Sequence, residues 1–132
     1  MTDVLDPFRL DGKVAVLTGA GSGIGKATAE LFASVGASLI LGDIDEVAVT
    51  ATADAITAAG GDAVALRCDI TQKADNEALV GRAVADHGRL DVMGNIAGVP
   101  HNRMIADVTE EELDRMLAIN LKGPFFGVQA AL

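Results

Sequence analysis

Apolar residues gather in four short continuous runs: Lys13-Val14-Ala15-Val16-Leu17-Thr18, Ser38-Leu39-Ile40-Leu41, Ala63-Val64-Ala65-Leu66 and Leu90-Asp91-Val92-Met93. Runs that do not alternate with polar residues are the pattern of strands covered on both faces, and the segments between them are long enough for crossover helices. The pattern predicts βαβαβαβ around a parallel sheet. Ile24, Ala27, Leu31, Phe32 and Val35 form a helical stripe after the first run, and Leu79, Val80, Ala83 and Val84 form another before the fourth. Between the second and third runs, Asp45 can cap a helix that extends to about Ala59, where Gly60-Gly61 stops it. Thr109 and Glu112 have capping-box spacing, which predicts a helix through Leu113, Met116 and Leu117 toward Gly123-Pro124, with a further helix opening from Phe125 to Leu132. No internal repeat or low-complexity tract interrupts this order, so residues 1–132 read as one domain or part of one.

The strongest chemical signal lies where the first strand hands over to the first helix: Thr18-Gly19-Ala20-Gly21-Ser22-Gly23-Ile24-Gly25. Glycines there allow a tight turn, let the backbone approach a pyrophosphate without a Cβ in the way, and let the helix sit close to the strand. The unpaired N–H groups and dipole at the helix start favour phosphate. A P-loop ending at Gly25-Lys26 is excluded, because it requires Gly at position 20 and Ser or Thr at 27, and both are Ala. The Gly-x-Gly-x-x-Gly spacing also fails, meeting Ile24 when started at Gly19 and Lys26 when started at Gly21.

What remains, Thr-Gly-x-x-x-Gly-x-Gly, resembles the cofactor loop of the short-chain dehydrogenase/reductase family. The resemblance implies a Rossmann-type, doubly wound α/β sheet in strand order 3-2-1-4, ending after the fourth strand and the helix that follows it. It makes residues 1–132 a single partial NAD-binding domain, with Gly19, Gly21, Ser22, Gly23, Ile24 and Gly25 as the phosphate-side residues. Asp43, at the end of the second strand, stands where a Rossmann carboxylate accepts the adenosine ribose hydroxyls and repels a 2′-phosphate. NADP-using relatives place a basic residue where this chain has Ser22 or Ile44, so NAD is the expected cofactor. Asp69 and Ile70 are implied to meet the adenine through the carboxylate and a backbone N–H, although an Asp before Thr71 also reads as a simple turn residue. Asn95-Ile96-Ala97-Gly98 is similar to the family's Asn-Asn-Ala-Gly, with Ile in place of the second Asn. Asn95, Ala97 and Gly98 keep the match, and Asn95 is expected either to line the cofactor cleft or to serve the sheet alone. Asn120, on the apolar stripe of its helix and followed by Leu121-Lys122-Gly123, matches the family's catalytic Asn, which holds a water near the active lysine.

The family's proton-transfer residue is a Tyr in Tyr-x-x-x-Lys, assisted by a Ser. This sequence has no Tyr, and its serines are Ser22, Ser34 and Ser38, all in the cofactor-binding part. The expectation is therefore the NAD(H)-binding portion of an oxidoreductase acting on an alcohol or ketone, inactive by itself. The alternatives are a non-catalytic dinucleotide-binding module or one piece of a split enzyme, with an S-adenosylmethionine-dependent methyltransferase as a third class that leaves Asn95 and Asn120 unexplained.

Charge and composition narrow the partners. A net charge of −9, with no Tyr or Trp to stack on bases, argues against nucleic acid. The same charge disfavours an anionic cofactor at long range, so local backbone N–H groups must carry phosphate binding. The acidic N-terminal stretch, and the absence of any run of about 18 apolar residues, argue against a signal peptide or membrane span and for a cytoplasmic protein. Cys68, the single cysteine, reads as a buried inert thiol. Neither His87 nor His101 has a companion at metal-ligand spacing, so no metal site is expected. A strand 4 with a bare outer edge would favour a homo-oligomer or a complementing C-terminal half.

Overall fold

The computed structural model describes Val4 and residues 6–132; Met1, Thr2, Asp3 and Leu5, part of the acidic N-terminal stretch, lie outside the described residues. Four parallel strands, β1 (Val14–Thr18), β2 (Ser38–Asp43), β3 (Asp62–Arg67) and β4 (Val92–Gly94), form one sheet in the order β3-β2-β1-β4. This is the Rossmann-type order that the sequence predicts. Helices α1 (Gly23–Ser34), α2 (Glu46–Ala58) and α3 (Lys73–His87) make the crossovers, and α4 (Glu110–Leu117) and α5 (Gly123–Ala131) follow β4.

The strands read as continuous apolar runs because both faces of the sheet are packed. Ala15, Leu17, Leu39 and Leu41 point to one side, where they meet Ala29 of α1 and Val49, Ala53 and Ile56 of α2. Val14, Val16 and Ile40 point to the other, with Cys68, Ile70, and Leu79 and Ala83 of α3. The Asp45 carboxylate caps α2 by accepting the Ala48 N–H at 3.0 Å, and Gly60 leaves the helix end at φ +89°.

Three expectations are corrected. The stripe assigned to α1 is buried only at its end: Val35 is in the core and Phe32 packs against it, but Ile24 and Leu31 are 77% and 55% exposed, while Gly25 and Ala29 are buried. A Cβ on Gly25 would collide with the Gly19 carbonyl, so close approach of helix to loop, rather than apolar bulk, selects this face. The fourth strand pairs only over Val92–Gly94, because Asp91 is occupied at the start of β1, donating its N–H to Val14 O and accepting the Val14 N–H on its carboxylate. Finally, the helical path does not break before Gly123-Pro124. A π-helical turn, Ala118–Lys122, joins α4 to α5, closed by the Gly123 N–H on Ala118 O. Pro124 sits in the first turn of α5, and widening the preceding turn accommodates a residue that cannot donate to a carbonyl four positions back.

Candidate functional site

At the carboxyl ends of the strands the loops after β1, β2, β3 and β4, together with α4 and its π turn, surround an open cleft of about 630 Å³. Its floor is the glycine loop. Gly19 turns at φ +68°, and a Cβ there would lie 2.8 Å from Ala97 Cα, so the loop after β1 runs directly against the segment after β4. Thr18, 1% exposed, fastens the two: its hydroxyl oxygen accepts the N–H groups of Ile96 (3.2 Å) and Ala97 (3.3 Å) and donates to Gly94 O (3.4 Å).

Helix α1 begins above this floor with Ser22 extended and giving no side-chain cap, and with no acidic residue in its first turn. The other crossover helices differ. Helix α2 has the Asp45 cap and Glu46, and α3 has Asp75 in its first turn. The start of α1 is thus left without a capping side chain or a first-turn acid of its own to meet its positive dipole end.

Asp43, at the end of β2, accepts the Gly21 N–H on Oδ2 (2.9 Å) and the Asp45 N–H on Oδ1 (3.0 Å). A Cβ on Gly21 would lie 3.0 Å from that Oδ2, so glycine is what lets the carboxylate stand against the loop. After β3, Asp69 Oδ1 accepts both the N–H (3.0 Å) and the hydroxyl (2.7 Å) of Thr71, which is the turn role its sequence position suggests. Burial, reinforced by the charges of Asp75, Asp69 and Asp43, pushes the Cys68 thiol up to about 12, so it stays protonated and unreactive.

Of the residues singled out from the sequence, Gly19, Ser22, Gly23, Ile24, Gly25, Asp43, Ile44, Asp69, Ile70, Ala97 and Gly98 line this one cleft. Gly21 lies behind it, bound to Asp43. Asn95 does not line it: its side-chain oxygen lies where a Cβ on Gly127 would fall, so it seats α5 against the sheet. Asn120, on the π turn, is exposed rather than buried, and its amide closes a two-way clamp, donating to Val99 O and accepting the Val99 N–H, each at 2.9 Å. Val99 lines the cleft, so Asn120 shapes the wall from behind. Thr71, Arg115, Ala118 and Ile119 also line the cleft and escape the sequence pattern. Only Arg115 and Ile119 carried a signal there, their i,i+4 spacing on the helix that leads to Asn120. Among the described residues Arg115 is the one cation in the lining. No group of three or more potential metal ligands occurs among the described residues, and no helix there is long and apolar enough to cross a membrane.

Comparison with known proteins matches this arrangement to one family. A family model described as short chain dehydrogenase matches residues 13–132. Tropinone reductase-like 1 of Erythroxylum coca is 40% identical over 99% of this chain and 49% of its own length. Momilactone A synthase of Oryza sativa subsp. japonica is 45% identical over 96% of this chain and 46% of its own length. A crystal structure of a short chain dehydrogenase/reductase from Burkholderia phymatum in complex with NAD superposes with a TM-score of 0.89 at 37% identity, over 93% of this chain and 44% of that one. The chain therefore spans about half the length of the relatives it matches. With a family model matching residues 13–132 and a fold that superposes on a solved member, the chain belongs to the short chain dehydrogenase family.

Proposed function

We propose that the cleft binds NAD(H) and that the chain is the cofactor-binding portion of an oxidoreductase acting on an alcohol or ketone. The observation that carries the reading is the start of α1: the only crossover helix with neither a capping side chain nor a first-turn acid opens onto glycines that a Cβ could not replace. The pyrophosphate belongs there, on the N–H groups of Gly23, Ile24 and Gly25. The ribose belongs on Asp43, whose oxygens each keep a lone pair beyond the single backbone N–H they accept. The adenine belongs beside Asp69 and Ile70. NAD(H) when bound supplies a hydride acceptor or donor. The chain's own residues bind and orient it, and Asn120 holds Val99 in the wall.

Asp43 also decides between cofactors, since a 2′-phosphate would bring two like charges together. A fluorescence titration should find NADH bound at least about tenfold more tightly than NADPH, a difference of roughly 1.4 kcal/mol. Asp43→Ala should narrow the gap. Equal or tighter NADPH binding would remove Asp43 from this role, and binding of S-adenosylmethionine without NADH would replace the cofactor altogether. The amide of Asn120 does not titrate, and no Tyr is present to pass a proton to a substrate oxygen, so the purified chain should bind NADH without turnover. Sustained NADH formation abolished by Asn120→Ala would overturn that expectation.

A further inference from the structure

Three peptide groups in a row around Ile70 are each held by a hydrogen bond. The Asp69 N–H donates to Asp75 Oδ2 at 2.9 Å, Asp69 O accepts the Gln72 N–H at 2.9 Å, and Ile70 O accepts from Asn76 Nδ2 at 2.9 Å. Asn76 gives its second N–H to Gln72 O at 3.0 Å. In a trans peptide the C=O and N–H point in opposite directions, so fixing Asp69 O on Gln72 turns the Ile70 N–H the other way. That N–H has no partner among the described residues, nor does Asp69 Oδ2. The turn thus presents one free donor beside one free acceptor in a segment that lines the cleft.

Asn76 is 0% exposed, and its Oδ1 is buried without a hydrogen-bond partner. A side chain selected for packing alone would not carry an orphaned oxygen into the core. What Asn76 gains in exchange is the grip on Ile70 O, which has no other donor among the described residues.

We propose that Asn76, with Asp75 beside it, is a positioning residue for base recognition, holding the Asp69–Thr71 turn so that the Ile70 N–H and Asp69 Oδ2 meet the acceptor and donor on one edge of adenine. The inference rests on the cofactor reading above and adds to it the two residues that hold the base-facing groups in place. Hypoxanthine exchanges donor for acceptor along that edge, so it reports on this geometry alone.

The test measures binding of three ligands to the whole chain: NADH, reduced nicotinamide hypoxanthine dinucleotide, and reduced nicotinamide mononucleotide, which has no base beyond the nicotinamide. The wild-type chain should prefer NADH to the hypoxanthine analogue by about tenfold or more. In Asn76→Leu that ratio should fall toward one through weaker NADH binding, with the mononucleotide unaffected. Asp75→Ala, which cuts a partly exposed bond, should shift the ratio the same way and decides the matter if Asn76→Leu does not fold. An unchanged ratio in both variants, or equal weakening of all three ligands, overturns the positioning role and leaves NADH binding standing. Failure of the wild-type chain to bind NADH overturns the cofactor reading and this inference with it.

Discussion

Asp91 shows how one carboxylate can tie a crossover back to the sheet. It accepts the Val14 N–H at 2.9 Å, receives Arg89 through two bonds of 2.8 and 2.6 Å, and lies 3.7 Å from Lys13 Nζ. The Arg89 guanidinium, with the Val14 N–H behind it, lowers the Asp91 carboxyl to about 2. A carboxyl whose pKa is lower folded than unfolded contributes stability that is fully present above its unfolded value, near 4, and is lost as the pH falls toward the folded one. Asp91→Asn should therefore lower the urea midpoint by a constant amount at neutral pH, and the gap from wild type should close between about pH 4 and pH 2. A gap that persists unchanged at pH 2 would show that shape at this position, rather than charge, matters.

At the scale of elements, α4 is held by its first turn rather than by burial. The Thr109 hydroxyl accepts the Glu112 N–H at 3.2 Å while the Glu112 carboxylate accepts the Thr109 N–H at 2.9 Å, so both halves of the capping box are present. The Thr109 N–H holds the Glu112 carboxyl below its ordinary range, and Arg103 at 3.2 Å adds to this. No residue of α4 is fully buried, so little else compensates for a lost cap. Thr109→Ala should cost about 1 kcal/mol in chemical denaturation and Thr109→Ser only a small fraction of that. If the alanine variant is as stable as wild type, the clamp of Asn120 on Val99 holds this end of the molecule instead.

For the whole molecule, both edge strands, β3 and β4, have an unpaired outer edge among the described residues, and the last helices add an uncovered apolar side. Among the described residues β4 pairs only with β1, and Leu113, Leu117, Leu121, Phe125 and Val128 are all 45% or more exposed. An unpaired strand edge beside an apolar helical stripe invites association, while the net charge of −9 resists it. Light scattering should find the purified chain self-associated, and increasingly so as salt rises to screen the charge. A stable monomer with well-protected amides at Val92–Gly94 would mean that this surface needs no partner.

The local pattern of residues by itself determined the four strands, the crossover helices, the Asp45 cap and the Thr109–Glu112 box, while the 3-2-1-4 order followed from the family resemblance of the glycine loop. The elements and caps follow from residues near one another in the chain. The glycine loop and Asp43 were legible for the same reason, since a turn that bars Cβ atoms leaves its mark in residue type. Only the tertiary structure decided which face of α1 turns inward, because clearance between Gly25 and the Gly19 carbonyl outweighs the apolar bulk of Ile24 and Leu31. It alone joined Thr18 to Ile96 and Ala97, Asn120 to Val99, and Asn95 to the site of Gly127. These pairs lie far apart in sequence, and a polar side chain meets whichever group the packed fold brings within reach, which no local period encodes.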